Sequence, residues 1–228
     1  MYKPKTRDEL KDIITETIIK KGYNCNLNFI DTSKITDMSY LFEDTPFNGD
    51  ISEWNTSNVT NMWKMFANSD FNGDISAWDT SNVLNMGYMF FDSKFNGDIS
   101  QWNVSKVENM QSMFSLSPFN GDISAWNVSN VRDMSFMFNY SQFNRDISDW
   151  NTSNVEDMQY MFRNSKFNGD ISKWNVSKVK DMTFMFENSP FNEDISKWDT
   201  SNVLWMTFML FHTPLEKENK LPTWYPKN

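Results

Sequence analysis

The apolar and polar positions of this chain recur at one fixed interval. Trp54, Trp78, Trp102, Trp126, Trp150, Trp174 and Trp198 lie 24 residues apart. Met62, Met86, Met110, Met134, Met158, Met182 and Met206 keep the same spacing, and Met38 opens that column one unit earlier. The unit reads F-N-G-D-I-S-x-W-[ND]-[TV]-S-[NK]-V-x-[ND]-M-x-x-M-F, followed by four variable residues. No insertion or deletion interrupts it from Asp31 to Trp198, the mark of a stacked array. One unit supplies Phe47, Ile51, Trp54, Val59, Met62, Met65 and Phe66, which it cannot bury against itself. Stacked on identical neighbours, every column becomes a continuous buried ladder. The pattern predicts a repeat solenoid of about eight 24-residue coils.

The ends break the pattern, as an array requires. Thr6 with Glu9 reads as a capping box, and Leu10, Ile13, Ile14 and Ile18 form one helical face. Gly22 then falls at the position past the helix end. Residues 1–30 are therefore expected to be a capping helix (6–21) and a degenerate half-repeat, with Tyr23, Leu27 and Ile30 in the Phe, Ile and Trp columns. Residues 31–198 hold seven repeats, and 199–228 a divergent last repeat with an irregular cap. There Trp205 replaces the column Asn or Asp, and Pro214, Pro222 and Pro226 oppose regular structure. Leu215, Leu221, Trp224 and Tyr225 are expected to cover the last coil.

The W-N-[TV]-S-N-V-x-x-M-x-x-M-F core closely resembles the BspA-like leucine-rich-repeat family. That resemblance spans roughly residues 23–211. It implies a leucine-rich-repeat-like, right-handed β-solenoid with short helical or 3-10 turns. It also implies bacterial surface proteins, with relatives in protists and viruses, active in adhesion and protein interaction, and it carries over no catalytic residues. The family's L-x-x-L-x-L alternation fits Ile51, Trp54 and Thr56, so a strand is expected there. Residues 54 and 56 would point inward, while 53, 55 and 57 point outward. Columns 55 and 57, nearly invariant Asn/Asp and Ser, read as polar ladders between coils.

Met62, Met65 and Phe66, spaced i, i+3, i+4, suit a helical turn with residue 64 opposite the core. Column 64 is therefore the candidate partner site: Tyr40, Tyr88, Phe136, Tyr160, Phe184 and Phe208, with Trp63 one position away. An outward aromatic row exceeds scattered surface residues and suits a protein or glycan partner. The opposing reading packs these rings flat on the neighbouring coil.

Composition narrows the function. The chain has 30 acidic and 21 basic residues, a net charge of −9, which disfavours nucleic acid. One cysteine (Cys25) and one histidine (His212), at opposite ends, offer neither a Cys/His zinc site nor a nucleophile–base pair. Asp50, Asp74, Asp98, Asp122, Asp146, Asp170 and Asp194 recur after each turn. They read as structural caps held by backbone N–H groups of the Asn-Gly turn, with calcium as the lesser reading.

The expectation is a non-enzymatic binding module without cofactor or metal, monomeric, with an unidentified protein or glycan partner. A surface adhesin and an assembly rod are the alternatives. With no apolar leader or membrane span visible, the chain is expected in the cytoplasm unless a non-standard route exports it or a virion carries it.

Overall fold

Backbone hydrogen bonds between consecutive coils define the architecture of the computed structural model, which describes residues 2–226. Met1, Lys227 and Asn228, the outermost residues of the expected terminal segments, lie outside the described residues. In each coil, alternate N–H groups donate to the coil that follows. Met62 donates to Asn85 O (2.9 Å), Lys64 to Gly87 O (2.9 Å), Phe66 to Met89 O (2.9 Å) and Asn68 to Phe91 O (2.8 Å). Thr60 N–H points the other way, to Thr36 O at 2.8 Å. One parallel bridge marks each junction, from Asp37 with Asn61 through to Asp181 with Trp205. The chain is a repeat solenoid.

Two expectations for the coil interior change. Residues 51–57 form no strand, because the chain turns every few residues. Trp54 N–H folds back to Ile51 O (3.2 Å), and Val59 N–H to Thr56 O (2.9 Å). Nor is the Met62-to-Phe66 segment a helical or 3-10 turn. Met65 N–H returns to Met62 O and Ala67 N–H to Lys64 O, each 3.2 Å, as tandem reverse turns. Residues 64 and 68 are left-handed, with φ of 55° and 53°. Sixteen non-glycine residues in these two columns have φ between 47° and 61°. Each such residue costs about 1–3 kcal/mol, a strain held only by surrounding structure. The ladder supplies that hold, since every left-handed residue through Asn188 donates its N–H to the next coil.

The core is the set of columns read from the repeat. Phe66, Val59, Met62, Met65 and their equivalents in the inner coils are fully buried, and the tryptophans nearly so. Their rings stack along the axis, as in Phe66 on Phe90 (5.7 Å, 2°) and Trp54 on Trp78 (6.4 Å, 4°). Thr56 and Val104 point inward, whereas column 53 is exposed throughout.

The polar ladders differ from expectation. The column-55 side chain does not reach between coils, because Asn55 Oδ1 accepts the Ser57 N–H of its own coil (3.1 Å). The side chains that bond from coil to coil come from other columns, and two of these bonds end on the backbone carbonyls of columns 55 and 57. Asn48 Oδ1 accepts from Asn72 N–H (2.9 Å), Thr56 Oγ1 donates to Asp79 O (3.0 Å), and Asn82 Nδ2 donates to Ser57 O (2.8 Å).

Helix α1 runs Arg7–Lys21, with Thr6 Oγ1 accepting the Glu9 N–H and Gly22 (φ 84°) closing the end on Ile18 O. Leu10 and Ile14 are buried against the first coil, and Lys11 Nζ donates to the carbonyls of Tyr40 and Leu41. At the other end Trp224 Nε1 donates to Ile195 O (3.2 Å), the bond a further column tryptophan would make. Leu215 is buried, and Leu221 and Tyr225 pack on the core. The prolines do not abolish regular structure. Pro214 opens a four-residue helix, α2 (Pro214–Lys217), at a position where a missing N–H has no cost.

Candidate functional site

The left-handed turns set column 64 on one side of the stack with the rings half exposed. Tyr40 and Phe208, at the two ends, are the most open at 39% and 43%. Between them the row is not continuous. Ser112 is buried and divides it into two clusters.

The first cluster joins two tyrosines through a cation. Lys64 Nζ lies 5.8 Å from the Tyr40 ring centre and 5.6 Å from that of Tyr88. Glu43 holds the same ammonium at 3.2 Å. Trp63 leans on Tyr88 at 4.9 Å, and Phe91 lies 5.5 Å from Tyr88. Gly87 makes room for the indole. A Cβ there would fall 2.3 Å from the Trp63 ring.

The second cluster is a stack. Phe136 lies on Tyr160 (4.5 Å, 10°), Tyr160 on Phe184 (5.0 Å, 20°), and Phe184 against Phe208 (5.4 Å, 32°). The Arg163 guanidinium sits 5.6 Å from Tyr160, 5.8 Å from Phe184 and 5.7 Å from Tyr140. Glu187, itself buried, fixes it by an ion pair. The hydrogen bond that Arg163 donates to Glu187 raises the guanidinium above its ordinary range. The rings thus pack on neighbouring coils while each stays partly exposed.

Sequence reasoning missed the cations. Lys64 stands once within the aromatic column and Arg163 falls in the variable column 67, so no recurring cation accompanies the rings. It also missed the left-handed backbone. Five of eight residues in column 68 are Asn or Asp, the types that tolerate this region, and that was the available signal.

The Asp column is a set of structural caps, although not through the Asn-Gly turn. Asp50 Oδ1 accepts the N–H (3.0 Å) and hydroxyl (2.7 Å) of Ser52. The backbone bond from Ser52, then its hydroxyl, holds the Asp50 carboxyl below its ordinary range. No three His, Cys, Asp or Glu side chains are grouped to hold a metal among the described residues. Cys25 is buried, which pushes its thiol up. His212, in the last coil, stacks on Phe211 (3.8 Å).

A capped repeat solenoid with an aromatic and cationic strip along one side is the class these observations define. The chain belongs to the family described as Mycoplasma protein of unknown function, DUF285, whose profile matches residues 15–118 and 115–224. The two matches are consistent with a BspA-like repeat protein. No curated protein and no solved structure matches the chain. No helix among the described residues is long and apolar enough to cross a membrane.

Proposed function

We propose that the chain is a non-enzymatic interaction module of the W-N-[TV]-S-N-V branch of BspA-like repeats, a leucine-rich-repeat-like solenoid wound right-handedly. It binds a protein or glycan partner along column 64, through Tyr40, Trp63, Tyr88, Phe136, Tyr160, Phe184 and Phe208. One observation carries this reading: rings stacked from coil to coil, with ion-paired Lys64 and Arg163 set against them. Such a face is ordered before it meets a ligand, so binding loses little side-chain entropy. Flat rings take sugar faces or apolar side chains, and the cations take acidic groups beside them.

The test is capture from source or host extract by the intact chain and by a Tyr88→Ser, Phe136→Ser, Tyr160→Ser variant that remains folded at the assay temperature. A partner kept by the first and lost by the second supports the reading. The same partner on both moves the site to another face. No partner on either returns the row to packing and favours an assembly rod.

A further inference from the structure

The C-terminal cap stops short. It covers the arc from Met209 to Thr213, but among the described residues no further segment stacks on residues 200–208. Val179 and Met182 are fully buried in the preceding coil, whereas their equivalents Val203 and Met206 are half-exposed. On the same arc Leu204 is 67% exposed, Trp205 56% and Phe208 43%. Trp205 stands where every inner coil has Asn or Asp. The array thus puts a tryptophan at a column position that is polar elsewhere, on this open edge.

The backbone of this edge is also unpaired. In the preceding coil, Lys180 C=O accepts from Leu204 N–H (2.8 Å), and Met182 N–H donates to Trp205 O (2.8 Å). The equivalent groups one coil later are Leu204 C=O and Met206 N–H. Neither finds a partner among the described residues. One acceptor and one donor, flanking residue 205 and facing the same way, are half of a bridge. That half-bridge is its own complement. Placed antiparallel across a two-fold axis, each Leu204 C=O meets the other copy's Met206 N–H, the pattern of a non-hydrogen-bonded pair centred on residue 205.

We infer that this edge is a dimer interface, in which two copies of the chain pair antiparallel at Trp205 about a two-fold axis. Charge permits it. Asp199 is the only charged side chain between residues 199 and 211, so the axis opposes no like charges. α1 obstructs a head-to-tail stack, because it lies over the first coil with Leu10 and Ile14 buried there. The pairing therefore closes at two copies. This pairing departs from the monomer expected from the sequence, because the open arc at Trp205 is exposed in a single copy. The open arc is short, which places the contact among small, weak interfaces.

Sedimentation of the full chain over a wide concentration range tests this, alongside Leu204→Lys with Trp205→Asn, which restores column chemistry. The wild-type chain should pass reversibly from monomer to dimer, and the double variant should dissociate at least tenfold more readily with an unchanged melting midpoint. A monomer at every concentration overturns the proposal. So does a dimer indifferent to the substitutions, or open polymers. Trp205→Cys provides a second reading. Opposed residues in such a pair have Cα atoms about 4.5 Å apart, within disulfide reach. Mild oxidation should therefore link two copies at residue 205, and a matching cysteine at Ala125 should give no link. Equal linking at both sites would contradict the two-fold pairing.

Discussion

The indole N–H of Trp78 reaches back one coil to the carbonyl of Ile51, 3.2 Å away. That oxygen already accepts the Trp54 N–H at 3.2 Å, so both lone pairs are used. The arrangement repeats from Trp54, which donates to Leu27 O, to Trp198, which donates to Ile171 O. Each tryptophan is thus both core and rivet.

Trp126 illustrates the consequence. Its Nε1 donates to Ile99 O at 3.1 Å, and that carbonyl keeps a second bond from Trp102 N–H. Trp126→Phe therefore loses one hydrogen bond and some volume without stranding an acceptor. The expected cost is about 1–3 kcal/mol, from the bond and the small cavity together. Thermal unfolding should show a midpoint lowered by about 3–10 °C at this chain length. An unchanged midpoint would show that the indole bonds contribute nothing.

Two aspartate columns should respond to acid in opposite senses. Asp122 is held below its ordinary range by Ser124, first through the backbone N–H and then through the hydroxyl. Its stabilising effect is present above the unfolded value near 3.9 and is lost as pH falls through the folded value. Asp157 is raised, chiefly by burial, with Asp133 and Asp181 adding repulsion. Its charge destabilises the fold at neutral pH. Melting curves should show Asp157→Asn stabilised at pH 7, with the gain vanishing below pH of about 4. Asp122→Asn should be destabilised at pH 7, with the difference also shrinking in acid. Asn already occupies the Asp157 column at Asn61, Asn85 and Asn109, so the first substitution keeps the bond to residue 159.

Gly87 and Trp63 should couple. Gly87 is not left-handed, so the collision of a new Cβ with the indole is the main penalty. Gly87→Ala is expected to cost about 1–3 kcal/mol, the usual range for overpacking. In a Trp63→Ala background the same change should cost less than about 0.5 kcal/mol. A double-mutant cycle measures the difference directly. Additive effects would place the indole elsewhere than over Gly87.

The contrast between columns explains how much the sequence discloses. Which side chains are buried follows from the period alone: Trp54, Val59, Met62, Met65 and Phe66 fall inside as the unit demands. Thr6, Glu9 and Gly22 mark the helix because capping is local chemistry, legible within a few residues. The path of the backbone between those side chains was not legible. The i, i+3, i+4 spacing of Met62, Met65 and Phe66 records which residues face the core, not the sign of φ at residue 64. Successive reverse turns with a left-handed third residue present the same faces as a helical turn. Likewise, Ile51, Trp54 and Thr56 fit an extended spacing, yet the Trp54 N–H bonds within its own coil to Ile51. The candidate row was legible as a row, since it is a column. Its break was legible as well, since Ser112 stands in column 64, but its cations were not, because Lys64 is a single departure within that column and Arg163 and Glu187 fall among the variable positions of the unit.

The central claim is that an ordered aromatic face is held ring by ring through backbone bonds between coils. Amide hydrogen exchange resolved at single residues tests it most directly. The N–H groups of Tyr88, Phe136, Tyr160 and Phe184 each donate to the following coil at 2.7–3.0 Å, while that of Phe208 has no acceptor among the described residues. Strong protection at the first four positions and fast exchange at Phe208 is the predicted result. A helical turn would leave residue 64 of every coil among the first, unbonded amides of its turn. Fast exchange at Tyr88, Phe136, Tyr160 and Phe184 alike would therefore contradict the account.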